Sequence, residues 1–167
     1  MSRVTPVARG GYAHFQSITT RWSDNDAYGH VNNVVYYNWF DTVVNTFLIG
    51  HGQLDVVHGA VICLVIETGC NYFSAVAFPD AITAGLRVVS LGNSSVHYEV
   101  GIFKGDASAP SAQGHFVHVC VDRMTRQPIP IPPSLRLLLQ SLLTTANAPS
   151  HSNTIPLHIG DTHHDRH

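Results

Sequence analysis

Apolar and polar positions recur along this chain with two different periods, and the changes of period divide it into elements. From His14 to Trp22 the β-prone Phe15, Ile18, Thr19, Thr20 and Trp22 mix with polar residues and predict a first strand. Val34 to Ile49 then brings Tyr36, Phe40, Val43 and Phe47 to helical spacing, with Trp39 beside them and only Asn38, Asp41 and Asn45 as a polar stripe. A helix so nearly apolar is expected to be buried over most of its circumference, and Gly50 and Gly52 are natural terminators. Ala60 to Ile66, AVICLVI, is an unbroken apolar run that continues through ETGCNYF, and its β-branched content predicts a strand buried on both faces. Strict alternation follows: Ile82 to Leu91 turns Ile82, Ala84, Leu86 and Val88 inward, and Val96 to Phe103 does the same with Val96, Tyr98, Val100 and Ile102. Gly92-Asn93-Ser94 between them has hairpin chemistry. Gly105 to Gly114 reads as a loop, Phe116 to Val121 as a further strand and Pro128 to Pro133 as a rigid extended stretch, after which Ser134 is expected to cap a short helix through Leu143.

One helix followed by a run of strands points to an antiparallel α+β domain whose sheet covers the helix with one face. The other face needs a cover, and the doubly apolar strand suggests a second subunit. Residues 1–13 are an N-terminal extension, 14–145 the domain, and 146–167 a flexible His-rich tail too polar to offset its ordering entropy. That tail carries His151, His158, His163, His164 and His167 without ligand spacing, so no metal site is expected there.

Charged residues make up 12% of the chain, against roughly 25% in ordinary soluble domains, and Lys104 is the only lysine. So little charge favours a homo-oligomer, whose contacts resemble a core cut in half. A net charge of -2 leaves no basic field for nucleic acid. Cys63, Cys70 and Cys120 show no CxxC spacing, and buried free thiols are the expectation. Neither a signal peptide nor a membrane span is visible, and the default location is cytoplasmic.

The polar residues withheld elsewhere concentrate in Trp22 to Tyr37, WSDNDAYGHVNNVVYY. Singly, its aspartates are turn formers and Asn32 or Asn33 an N-cap. Together they set a carboxylate and an imidazole beside the N-terminus of a buried helix, whose unpaired N–H groups favour negative charge on an oxygen. An acyl carbonyl there would be polarised, and an aspartate could attack it or draw a proton from water. No GxSxG elbow offers a serine nucleophile. Trp39, Phe40, Phe73 and Phe78 are each core or pocket wall.

The segment D-x-D-x-x-G-H-V-N-N-x-x-Y before an apolar helix resembles the hotdog-fold thioesterases, in the branch of 4-hydroxybenzoyl-CoA thioesterase and the long-chain acyl-CoA thioesterases. It is also similar to the W-S-D-x-D-x-x-x-H-V-N-N motif of plant acyl-ACP thioesterases. The resemblance covers about residues 14 to 143. It implies an antiparallel sheet wrapped around a long central helix, and hydrolysis of acyl-CoA or acyl-ACP to acid and thiol without metal or prosthetic group. It also implies self-association as homodimer or homotetramer. Asp26 is then the base or nucleophile, His30 an acid/base or positioning residue, Asn33 the helix opener whose N–H faces the thioester oxygen, and Asp24 structural. Tyr28 stands where the plant enzymes carry asparagine, and Asn71, near Glu67, replaces a later glutamate of theirs. Glu67, read as a carboxylate buried in a strand, is a candidate substrate contact, and the turn Gly92-Asn93-Ser94-Ser95 is a candidate for the phosphate end of the carrier, with Gly92, Ser94 and Ser95 approaching an anion. Hydration or dehydration of a thioester and non-catalytic acyl-CoA binding or sensing are the rival readings.

Overall fold

The protein is described by a computed structural model covering residues 4–144; the predicted tail lies outside the described residues. In chain order the elements are β1 (His14–Ile18), α1 (Asn33–Gly50), β2 (Val61–Tyr72), β3 (Ile82–Leu91), β4 (Ser95–Lys104), β5 (Ala112–Asp122) and α2 (Pro133–Gln140). The strands form one antiparallel sheet in the order β1-β3-β4-β5-β2. The alternation read from the sequence is the alternation observed, since Ile82, Ala84, Leu86, Val88, Val96, Tyr98, Val100 and Ile102 are all buried.

α1 presents Tyr36, Trp39, Phe40, Val43, Val44, Phe47 and Leu48 to that core, while Asn38, Asp41 and Thr42 stay exposed. Its approach to β5 depends on Gly114, where an added Cβ would collide with the Phe40 ring. The opposite face of the sheet receives part of its cover from the chain itself. Gly85 and Gly101 face each other across β3 and β4, and the Tyr12 ring lies over both. The Tyr12 hydroxyl donates to Glu99 at 3.3 Å, and Glu99 pairs with Arg87 at 2.8 Å. The Arg9 guanidinium sits over the rings of Phe15 and Phe103.

Four expectations change. The first strand stops at Ile18 because the Thr20 hydroxyl donates to the Asp80 carbonyl and Trp22–Asp24 closes into a 3₁₀ turn. β5 begins at Ala112, inside the expected loop, since Ala112 and Gln113 pair with β4 on one side and β2 on the other. Ser134 does not cap α2: Pro132 holds that position with Pro133 opening the helix, and the Ser134 hydroxyl donates to the Gln53 side chain at 2.9 Å. β2 is an edge strand rather than one buried on both faces, so Leu64, Val65 and Ile66 are 40%, 43% and 62% exposed in the single chain.

Candidate active site

The loop between β1 and α1 is a small hairpin. Asn25 and Val31 form an antiparallel bridge, the Asp26 N–H donates to the His30 carbonyl at 2.8 Å, and the Asn32 N–H donates to the Asp24 carbonyl at 2.8 Å. Gly29 permits the turn with φ of +80°, a conformation other residues adopt at a cost. Two outside contacts anchor it: the Val31 N–H donates to the Val76 carbonyl, and the Phe78 N–H to the Asn25 side chain.

Within this hairpin Asp24 is buried, with Oδ2 accepting from the Arg21 N–H at 2.7 Å and Oδ1 from the Arg21 guanidinium at 2.8 Å. The Asp26 Oδ1 accepts from the Tyr28 N–H at 2.8 Å and from the His30 N–H at 3.4 Å. Its Oδ2 has no hydrogen-bond partner among the described residues. Asn32 is the N-cap of α1, its side chain accepting from the Val34 N–H at 3.2 Å. Asn33 is the first helical residue, and its own N–H has no acceptor among the described residues, as the first turn of a helix requires.

Asp26, His30 and Asn33 line one open pocket of about 420 Å³, together with Val31, Tyr36 and the segment Tyr72 to Ala75. Tyr36 and Tyr72 meet edge to face at 5.1 Å, and the Tyr72 hydroxyl donates to the Asn33 carbonyl at 3.4 Å. Burial pushes the Tyr36 hydroxyl up to about 12 and raises that of Tyr72 as well, so both rings stay neutral donors near pH 7. The wall is therefore aromatic and uncharged, with a carboxylate at one end and a helix N-terminus beside it.

The other candidates lie elsewhere. Tyr28 is 86% exposed on the hairpin and is not among the residues lining the pocket. Glu67 is not buried: a bulge between Val65 and Glu67 on the edge strand turns it to the sheet's outer face, where its side chain is 69% exposed and contacts the His115 ring at 3.2 Å. Its neighbours there are Asn71, His97, Glu99 and Gln113. Gly92, Ser94 and Ser95 form the β3–β4 turn, and the carbonyls of Gly92 and Asn93 accept from Arg136 of α2. Of the four aromatics left open, Trp39 and Phe40 are core, Phe73 is pocket wall, and Phe78 packs edge-on against Trp22. Tyr72 and Ser74 were missed, for one ends β2 and the other follows it, and only folding brings that part of the chain to α1. Among the described residues no group of three or more His, Cys, Asp or Glu is arranged to hold a metal ion, and no helix is long and apolar enough to cross a membrane.

The sequence profile of the thioesterase-like superfamily matches residues 20–139, which includes the whole hairpin, α1 and the sheet from β2 onward. The chain belongs to that superfamily. Its structure is similar to the PA5185 protein of Pseudomonas aeruginosa strain PAO1, at 52% identity over 86% of this chain and 100% of that one, with a TM-score of 0.83. A 1,4-dihydroxy-2-naphthoyl-CoA thioesterase from Synechocystis matches at 14% identity over 77% and 96% of the two chains, with a TM-score of 0.70. A predicted thioesterase from Bacillus stearothermophilus matches at 23% over 80% and 98%, with a TM-score of 0.69. At those identities the last two show the shared fold, the α+β hotdog, in which the sheet wraps around the long helix. Among curated proteins none matches this chain at a significant level. In this member of the thioesterase-like superfamily the hairpin carboxylate lies at the opening of the central helix.

Proposed function

We propose that this chain hydrolyses acyl-CoA, or acyl-ACP, thioesters to a free carboxylic acid and the thiol, with Asp26 as general base or nucleophile. What supports this reading is one observation: the Asp26 carboxylate, with one oxygen uncommitted, and the open N–H of Asn33 border the same aromatic pocket. A thioester carbonyl seated there directs its oxygen to the helix N-terminus, where the negative charge of the tetrahedral intermediate is stabilised. In the general-base form, Asp26 Oδ2 takes a proton from water as the water oxygen bonds to the carbonyl carbon. The intermediate then collapses, the C–S bond breaks, and the thiolate recovers that proton. In the nucleophilic form Oδ2 itself bonds to the carbon, the C–S bond breaks and the thiolate leaves; water then cleaves the mixed anhydride, releasing the acid and the Asp26 carboxylate, and its proton goes to the thiolate. His30, tied to Asp26 through its backbone, lends its ring to proton exchange with the leaving thiolate. Neither route calls on a metal or prosthetic group.

The active assembly on this reading is a homodimer joined along the exposed apolar edge of β2, or a tetramer of two such dimers, because an uncovered edge carrying Leu64, Val65 and Ile66 invites a further strand. Glu67 and the turn at Gly92 to Ser95 do not line the pocket of their own chain and, on this reading, join the substrate only through a second copy. Sedimentation showing monomer alone would refute that arrangement.

The test is thiol release from short-chain, long-chain and aromatic acyl-CoAs. Asp26→Asn is expected to lose at least ~100-fold in kcat/KM, the usual cost of removing a positioned acid, base or nucleophile. An equally active variant would sink the mechanism, and binding without turnover by the wild type would favour the non-catalytic reading.

A further inference from the structure

Two of the three cysteines meet in a way their sequence spacing gives no hint of. Cys63 and Cys120 are direct partners across β2 and β5, and their Sγ atoms are 3.1 Å apart. The backbone of Cys120 is committed to the other side: its N–H donates to the Ser94 carbonyl at 2.8 Å and its carbonyl accepts from the Ile129 N–H at 3.0 Å. The two cysteines therefore form a non-hydrogen-bonded antiparallel pair, the kind in which opposed Cα atoms come closest, about 4.5 Å. That separation lies within the roughly 4.4–6.8 Å that a disulfide spans, so closing the bond needs rotation of side chains rather than movement of strands.

Access and ionisation point the same way. Cys120 is buried, but Cys63 is only partly so and borders an open pocket of about 250 Å³ between the C-terminal end of α1, the segment Gly52 to Ala60 and the start of α2. A peroxide is small enough to enter it. Either sulfur can donate to the other; with Cys63 as donor the bond holds Cys120 below its ordinary value, Arg136 adding to the effect, while that bond and burial hold Cys63 above its own. Once one proton is lost the two sulfurs share the other, and a thiolate is the form that reacts with an oxidant.

We propose that Cys63 and Cys120 are an oxidant-sensitive thiol pair that closes to an intrachain disulfide on reaction with a hydroperoxide. The thiolate sulfur attacks the peroxide, breaking the O–O bond to give a sulfenic acid and an alcohol or water. The neighbouring thiol then displaces water from the sulfenic sulfur as the S–S bond forms. Overall two thiols lose two electrons and two protons, and the hydroperoxide is reduced to the alcohol and water. Cys70, farther along β2, has no thiol opposite it, since its partner is Gly114.

The test is mild treatment of the reduced full-length protein with hydrogen peroxide, read by intact mass, free-thiol titration and peptide mapping. The expected result is a loss of about 2 Da, a fall from three titratable thiols to one, and a linked Cys63–Cys120 peptide, all reversed by dithiothreitol. Cys70→Ser should keep the mass loss, whereas Cys63→Ser and Cys120→Ser should each abolish it. Retention of all three thiols would overturn the proposal. So would a gain of oxygen on Cys63 without a linked peptide, or a disulfide between copies through Cys70.

Discussion

Asp24 and Asp26, two residues apart on one hairpin, use their carboxylates in opposite ways: Asp24 commits both oxygens to Arg21 and is buried, whereas Asp26 commits one oxygen to backbone N–H groups and leaves the other at a pocket wall. One is equipped to hold the loop and the other to react. The same residue type thus has two fates, set by what the neighbouring backbone offers it.

That contrast separates stability from activity in two variants. Asp24→Ala removes the buried carboxylate that accepts from the Arg21 N–H and should cost about 1.5–3 kcal/mol in urea unfolding, the range for losing a hydrogen bond to a charged group. Asp26→Asn keeps an oxygen to accept from the Tyr28 N–H, so stability should stay within about 0.5 kcal/mol while thioesterase activity collapses. A variant at Asp26 that unfolds the protein would show that its role is that of Asp24.

Asn33→Pro tests the helix N-terminus alone. Proline is welcome at the first helical position, and Asn32 before it already has φ −59° and ψ 139°, a conformation that a following proline favours. The fold should therefore hold while the one N–H that the proposed mechanism directs at the substrate oxygen is deleted. We expect kcat to fall about 10²–10³-fold, the loss that follows removal of an oxyanion donor, with circular dichroism unchanged. An active, folded Asn33→Pro enzyme would mean that the oxyanion is held elsewhere.

Gly114→Ala should destabilise the domain by about 1–3 kcal/mol, since the new methyl group would meet the Phe40 ring and force α1 away from β5. Because the opening of α1 borders the pocket, activity should fall with it. Unchanged thermal unfolding would show that Phe40 can rotate aside at no cost.

His118 gives the fold an acid limit. It is buried between Tyr98 and Phe116, neither ring nitrogen has a partner among the described residues, and burial lowers its pKa to about 4. Between the unfolded value near 6.5 and about 4, the unfolded chain binds a proton that the folded chain refuses. Stability therefore rises with pH across that window and is lost on acidification, by about 1.5 kcal/mol from pH 6.5 to pH 5. Burial lowers His14 and His97 too, with the same sign. Urea titrations at pH 7 and pH 5 measure the slope, and His118→Leu should reduce it by at least half.

The sequence by itself determined the parts that depend on near neighbours. The period-2 and helical patterns placed the long helix and the inward residues of β3 and β4, because those patterns are set by backbone geometry alone, and the motif from Asp24 to Asn33 located the carboxylate, the imidazole and the helix opening. Tertiary structure decided what depends on distant partners. An apolar run reads the same in a central strand and at an edge, so only the sheet order put β2 outermost and Glu67 in the open. Tyr72 and Ser74 become pocket wall only where the end of β2 and the residues after it meet the opening of α1, and Cys63 meets Cys120 because pairing β2 with β5 joins residues 57 positions apart in the chain. Local sequence fixes backbone period and chemistry, whereas a pocket or a thiol pair exists only once separate segments share the same few ångströms.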